Sequence, residues 1–230
     1  MRLFLPNRRN RRTRAGPFAA PLRARSACLG LGFWLVCATA AAASVANVTA
    51  LVGSVAIQSA SGAKRLAALG TEIANGDTVE TGAASEVVMV FTDHQRVYLK
   101  PGSIFRVDEF NYAANDARKD RSFLSLVKGG LRVLDGLVGK EGSADNYRLK
   151  TQTSTIGIRG TEYSVTDCSP AVDCEGDQIV VYDGQIVVAN AVDKRTVSAG
   201  EGLIVPGVSA SFRLLPANLV TPVVPSAACR

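Results

Sequence analysis

Between about Val48 and Pro206 the chain breaks into short apolar runs separated by Gly, Asn and Asp, and it nowhere sustains the apolar period of a helix. Val87-Val88-Met89-Val90-Phe91 is one such run, and Arg96-Val97-Tyr98-Leu99 and Ser103-Ile104-Phe105-Arg106-Val107 follow it. In the last two, Val97, Leu99, Phe105 and Val107 alternate with polar or amphipathic positions, the period-two signature of strands with one buried face. The runs Val87 to Phe91 and Ile179 to Tyr182 are apolar on both faces, which suits central strands. Asp93-His94-Gln95 predicts a hairpin bend between two strands. The pattern as a whole predicts an all-β fold.

A glycine opens a β-rich segment three times, in Leu51-Val52-Gly53-Ser54-Val55-Ala56-Ile57, in Gly129-Gly130-Leu131-Arg132-Val133 and in Asp183-Gly184-Gln185-Ile186-Val187-Val188. Units too small to bury a core alone predict stacked short strands, a β-solenoid or β-roll, with a β-sandwich as the alternative. Residues 166–206 read as further strands continuing the same fold. The charged stretch Asn111 to Arg121 predicts an exposed loop, and residues 207–230, with Pro216, Pro222 and Pro225, an extended or partly disordered tail.

Charge changes the picture at the N-terminus. The chain has 26 Lys and Arg against 20 Asp and Glu, but eight of the arginines (Arg2, Arg8, Arg9, Arg11, Arg12, Arg14, Arg23 and Arg25) lie in residues 1–43, which hold no acid. The remainder is slightly acidic and has no electrostatic footprint for a phosphate backbone, so a nucleic-acid partner is not expected. Residues 27–43 (ACLGLGFWLVCATAAAA) form an apolar block ending in Ala-x-Ala sites, which reads as a Sec signal peptide cleaved after Ala42 or Ala43. A periplasmic or secreted protein is the expectation, with membrane contact only if residues 27–43 remain uncleaved. Neither Cys28 nor Cys37 has the small neighbours of a lipid-attachment site.

Export makes the remaining cysteines candidates for a disulfide. Cys168 and Cys174 enclose Ser-Pro-Ala-Val-Asp between two strand-like runs and are the expected pair; so short a loop contributes about 2 kcal/mol. Cys229 has no evident partner.

The run Lys150-Thr151-Gln152-Thr153-Ser154-Thr155-Ile156-Gly157-Ile158-Arg159-Gly160-Thr161-Glu162-Tyr163-Ser164-Val165 resembles the closing signature of the FecR-like domain family. Gly53-Ser54-Val55 resembles its opening, and Asn75-Gly76-Asp77-Thr78-Val79-Glu80-Thr81-Gly82 its middle. Ser103-Ile104-Phe105 and the strand containing Gly130 also follow the family order, so the resemblance covers residues 48–165. It implies a cell-envelope β-domain and marks Gly53, Gly76, Asp77, Thr81, Gly82, Gly130, Gly157, Arg159, Gly160 and Thr161 as family-motif positions. Phe91-Thr92-Asp93-His94-Gln95 stands where the family has Phe-x-Asp-Gly-Ser, and the missing glycine predicts a looser or longer bend at His94. Family members that regulate iron-uptake transcription place an anti-sigma segment before a membrane helix. The arginine-rich leader here is too short for one.

No cofactor or metal is expected. His94 is the chain's one histidine, in a polar turn. The acids Asp167, Asp173, Glu175 and Asp177 offer oxygen ligands for Ca²⁺, yet Gly176 sits at the wrong offset for the usual calcium loop, which favours a solvated loop closed by the disulfide. Arg159 either presents its guanidinium to a carboxylate or phosphate, or pairs with Glu162 and satisfies carbonyls; the structural role is favoured. With no nucleophile elbow or phosphate loop, the expected function is a non-enzymatic binding or scaffold module engaging an envelope protein or glycan. The alternatives are a membrane-tethered FecR-type sensor or regulator and, third, a glycan-acting enzyme.

Overall fold

The computed structural model describes residues 43–141, 144–168 and 174–229. Residues 1–42, on which the signal-peptide reading falls, and residues 142–143, 169–173 and 230 lie outside the described residues. The fold is all-β with almost no helix. In chain order it comprises β1 (Ser44–Val52), β2 (Val55–Gln58), β3 (Lys64–Leu66), β4 (Glu72–Ala74), β5 (Thr78–Thr81), β6 (Glu86–Phe91), β7 (Arg96–Leu99) and β8 (Ile104–Asn111). These are followed by β9 (Arg121–Lys128), β10 (Gly130–Leu134), the single-turn α1 (Leu137–Glu141), β11 (Tyr147–Lys150), β12 (Thr155–Asp167), β13 (Asp177–Ala189), β14 (Lys194–Ser198), β15 (Gly202–Val205) and β16 (Arg213–Leu214).

All the strands join one curled sheet, ordered β3-β2-β5-β8-β9-β11-β12-β10-β7-β6-β1-β4, with β13 to β16 added beside β12. The first half of this path, up to the start of β12, and the second half, from its end, close over one core. Val79, Phe105, Leu124 and Leu149 from the first half and Met89, Val97, Leu131 and Val165 from the second are all buried in it. Phe91 and Phe110 meet across it with ring centroids 4.9 Å apart.

Both halves depend on β12 and β13. The start of β12 pairs with β11 and its end with β10, while β13 follows it along both stretches, taking β15 on one side of a bend and β14 on the other. At the bend the register slips between Arg159 and Glu162, and the two strands place Gly160 (φ 59°) and Gly184 (φ 72°) there in the left-handed region that L side chains avoid. The inserted residue is visible in the burial phase. Ile156 and Ile158 point inward, then Tyr163 and Val165; on β13 Ile179 and Val181 point inward, then Ile186 and Val188. Without a bulge, a change from even to odd positions would turn half of each strand's apolar set out of the core.

The recurring glycines therefore have a different cause from stacked coils. Gly53 (φ 74°) lies between β1 and β2, Gly129 (φ 86°) between β9 and β10, and Gly184 within β13, each where the chain passes from one half to the other. Stacked coils would pair in parallel, whereas among the described strands only β9 and β11 do so. All-β holds, and the coil-stacked arrangement does not.

The loop between β8 and β9 is short of apolar side chains and is braced by Arg118 bonding to Asp116 at 2.9 Å. The tail expected to be extended or partly disordered forms no strand after β16 and lies against the outward face of the second half. There Ser226 N–H donates to Glu86 Oε2 at 3.0 Å.

The bend at His94 is tight, contrary to expectation. His94 N–H donates to the Phe91 carbonyl at 3.0 Å and Phe91 N–H to the Gln95 carbonyl at 2.9 Å, and His94 adopts φ 70° itself. The residue takes the conformation that glycine would take, with its exposed side chain free of the core. His94→Gly should therefore raise stability, by roughly 1 kcal/mol, as left-handed strain is relieved. Gly184→Ala should lower it by more than about 2 kcal/mol, because a Cβ there would also collide with the Gly160 carbonyl. Urea midpoints of the two variants check both signs.

Candidate functional site

The motif residues separate into two groups. Gly53, Thr81, Gly82 and Gly130 gather at the turns where the halves meet. Ser54 N–H donates to Ser85 Oγ at 2.8 Å and Gly82 N–H to the Ser54 carbonyl at 3.0 Å. Thr81 Oγ1 donates to the Lys100 carbonyl at 2.7 Å and accepts from Ser103 N–H at 2.8 Å, while Ser103 Oγ bridges Gly130 N–H and its carbonyl, both at 2.9 Å. A Cβ on Gly53 or Gly130 would strike Ser85 or Lys100. In the neighbouring turn Gly76 has φ 83°, and buried Asp77 accepts from Ala74 N–H at 3.2 Å and pairs with Arg65 at 2.7 Å. These residues hold turns, and their polar groups are turned to one another.

The second group lies on β12. Gly157 and Arg159 face outward from the first half, and their partners across the β12–β13 ladder are Val187 and Gln185. Thr196 of β14 extends the Gly157–Val187 row and Ser198 the Arg159–Gln185 row, while Lys194 stands opposite Ala189 at the far end of the ladder. Arg148 of β11 stands on the other side, its guanidinium 4.2 Å from the centre of the Phe123 ring, a stacking that fixes the cation in place. Together these strands form a groove of about 640 Å³ lined by Arg148, Gly157, Arg159, Gln185, Val187 and Lys194, with Asp145 as its lining carboxylate.

Arg159 does not pair with Glu162. Glu162 is bound by Arg132 at 2.7 Å, because the bend between positions 159 and 162 sends the two side chains to the outward faces of different halves. Arg159 is exposed and forms no ion pair among the described residues. Gly157 is equally unconstrained: a Cβ there would find nothing closer than the Val187 carbonyl at 4.0 Å. Close packing accounts for Gly53, Gly76, Gly82 and Gly130 and a left-handed φ for Gly160, and neither gives Gly157 a steric reason. Its effect is on the groove floor, which stays flat between Arg148 and Val187.

Thr161 is buried at the bend, its carbonyl accepting from Asp135 N–H at 3.0 Å. Around it lies a buried polar cluster that the sequence did not reveal. Asp93, from the hairpin that carries His94, accepts from Gln95 N–H at 2.9 Å and Val138 N–H at 3.2 Å, and so ties the hairpin to α1. Neither carboxylate oxygen of Asp135 meets a well-formed hydrogen bond, and Thr161 Oγ1 lacks one as well. Burial, and then the negative charge of Asp93, push the Asp135 carboxyl up to about 7. Burial also raises Asp93 against its hydrogen bonds.

Cys168 and Cys174 are joined by a disulfide, with Cα atoms 5.1 Å apart, closing the β12–β13 hairpin. The acids near it disperse. Glu175 pairs with Arg213, buried Asp177 accepts from Thr153 Oγ1, and Asp173 lies outside the described residues. No group of three or more His, Cys, Asp or Glu suited to a metal occurs among the described residues. No described helix is long and apolar enough to cross a membrane.

Residues 77–187 match the family model described as FecR protein. The chain carries a FecR domain. The match runs from Asp77 through the bend of β12 and β13, so it includes both groups of motif residues except Gly53 and Gly76. No curated protein matches the chain. Among solved structures, two of a proposed anti-sigma factor from Parabacteroides distasonis ATCC 8503 align at 13% and 15% identity, with TM-scores of 0.47 and 0.48. Each alignment covers 60% of this chain and 58% of the other, so the chain spans little more than half their length. A cell surface anchoring domain aligns at 37% identity over 27% of this chain and 82% of its own, with a TM-score of 0.26.

The raised Asp135 carboxyl predicts a pH dependence for the FecR domain. The folded state keeps its proton above the pH at which the unfolded chain releases it, so stability falls as pH rises from the ordinary carboxylate range to about 7 and is flat beyond. Asp135→Asn should reduce that slope, leaving the part of the same sign that buried Asp93 and Asp177 contribute. At pH 8 it should gain roughly 2 kcal/mol, and near pH 4 its denaturant midpoint should match the parent.

Proposed function

We propose that the FecR domain is an exported, non-enzymatic binding module of the bacterial cell envelope, and that the groove on β11 to β14 is where it meets a protein or glycan partner bearing acidic groups. Arg159 carries this reading. It is a motif residue with no ion pair among the described residues, and it lines one glycine-floored groove together with a stacked Arg148 and, farther along, Lys194. Three fixed or tethered cations against one lining carboxylate favour an anionic partner, and arginine suits carboxylate, sulfate or phosphate groups equally by its planar fork of donors. A glycan-cleaving role gains no support from the groove, since such enzymes use a pair of carboxylates.

The family match favours a second reading, a membrane-tethered FecR-type sensor or regulator of envelope or iron-uptake signalling. It requires residues 27–43 to stay attached. The intact mass of the native protein in soluble and membrane fractions separates the two: a soluble species beginning near Ser44 supports the exported module, and a full-length membrane species supports the tethered regulator.

The groove is tested with a photo-crosslinking side chain in place of Gln185 in cells. One discrete adduct is expected, lost in an Arg159→Glu, Lys194→Glu double variant and weakened by Gly157→Val. Arg159→Ala should change stability by no more than about 0.5 kcal/mol, as for an exposed residue without partners. An adduct indifferent to all three substitutions, or an Arg159→Ala variant that loses both folding and adduct together, would return Arg159 to a structural role.

A further inference from the structure

The opposite outward face, on the second half, already holds a peptide. Thr221 to Ser226 cross it in a proline-punctuated path with no strand pairing, and Ala227–Cys229 end it in a single 3-10 turn. The face reads the main chain of that peptide from both sides. Arg132 Nη1 donates to the Val223 carbonyl at 2.8 Å, and Val223 N–H donates to Tyr182 Oη at 3.0 Å. Tyr182 Oη in turn reaches the Thr221 carbonyl at 3.4 Å. Arg132 is preset for this task, paired with Glu162 and lying 4.6 Å from the centre of the Tyr182 ring. Farther along, Glu86 accepts from Ser226 N–H, and Cys229 is buried against Val88 and Tyr98.

Two properties of this arrangement point to another ligand. The clamp contacts backbone groups, so it selects an extended conformation rather than the side chains of this tail, and prolines favour that conformation at low entropic cost. The tail also fills the face incompletely. Beside Pro225 lies a cavity of about 310 Å³ lined by Val88, Tyr98, Arg132, Leu134 and Glu162, predominantly apolar, with room for a larger side chain than proline.

We propose that this face is a docking groove for an extended, proline-punctuated segment of another polypeptide that carries a bulky apolar residue at the place of Pro225, and that the C-terminal tail is a resident occupant which such a segment displaces. The arginine–tyrosine clamp supplies orientation, and the apolar cavity supplies the preference for the incoming segment over the tail. This face lies on the other half from the Arg159 groove, so either assignment stands if the other fails.

Cys229 gives the readout in the intact chain. At rest its thiol is buried, and burial followed by the nearby Glu86 charge raises its pKa, so alkylation is slow. Displacing the tail exposes it. A synthetic peptide of residues 219–228 carrying Pro225→Phe, which lacks the cysteine, should speed alkylation of Cys229, followed by mass spectrometry, at least ten-fold and saturably. The same peptide with Pro225 retained should need at least ten-fold higher concentration. Val223→Pro, which removes the N–H bonded to Tyr182 and touches only the small cluster of Val88, Tyr98 and Cys229 outside the main core, should raise the resting rate and lower the peptide concentration required. Arg132→Ala should raise the resting rate and abolish the response. A rate indifferent to the Pro225→Phe peptide in both the parent and Val223→Pro chains overturns the docking groove, and equal potency of the two peptides overturns the role of the cavity.

Discussion

The bend shared by β12 and β13 is the constraint on which the rest of the fold depends. Two neighbouring strands change inward phase at one place, and each needs a glycine there: Gly160 for the bulge and Gly184 for the close approach of its partner's carbonyl. Because of that paired change, Ile156 and Ile158 serve one wall of the core and Tyr163 and Val165 the other. The same bend separates Arg159 from Glu162, and so divides the surface chemistry into two unrelated faces. One substitution at either glycine would therefore disturb core, curvature and both candidate surfaces together.

Tight turns complete the arrangement with short side chains. Thr81, Ser85 and Ser103 satisfy backbone groups where the chain crosses between halves, which leaves nearly every polar atom of the glycine-rich motif used internally. That gives Arg159 and Gly157 their significance within the FecR domain. They are motif residues for which packing offers no account, while Asp77, in the same motif, is fully committed to Arg65 and its own turn.

The all-β class, the central strand at Val87 to Phe91 and the Cys168–Cys174 disulfide were legible in the sequence, because each rests on local pattern or short spacing. The curvature was legible in principle too: the distance of five between Ile158 and Tyr163, and again between Val181 and Ile186, records an odd step within a single strand. The recurring glycines mask it, because the same spacing suggests a repeat. The tightness of the turn at His94 is not legible locally, since the tendency of a non-glycine residue to avoid positive φ is outweighed by the ladder on both sides. Asp135 was not legible at all. Its environment is assembled from Asp93, α1 and the β12 bend, which no spacing rule connects, and the Arg132–Tyr182 clamp arises in the same way from strands far apart in sequence.

The order of pairing also bears on how the chain acquires its fold as it emerges N-terminus first. β7 waits for β10, β10 waits for β12, and β12 waits for β13, so the ladder that joins the two halves is made from the last third of the domain. Early hairpins such as β6–β7 and β8–β9 close locally, but the ladder that joins their two walls is missing until residues beyond 155 arrive. A chain built this way stays open for most of its emergence and then closes late, with the hairpin that sets its curvature also sealing it.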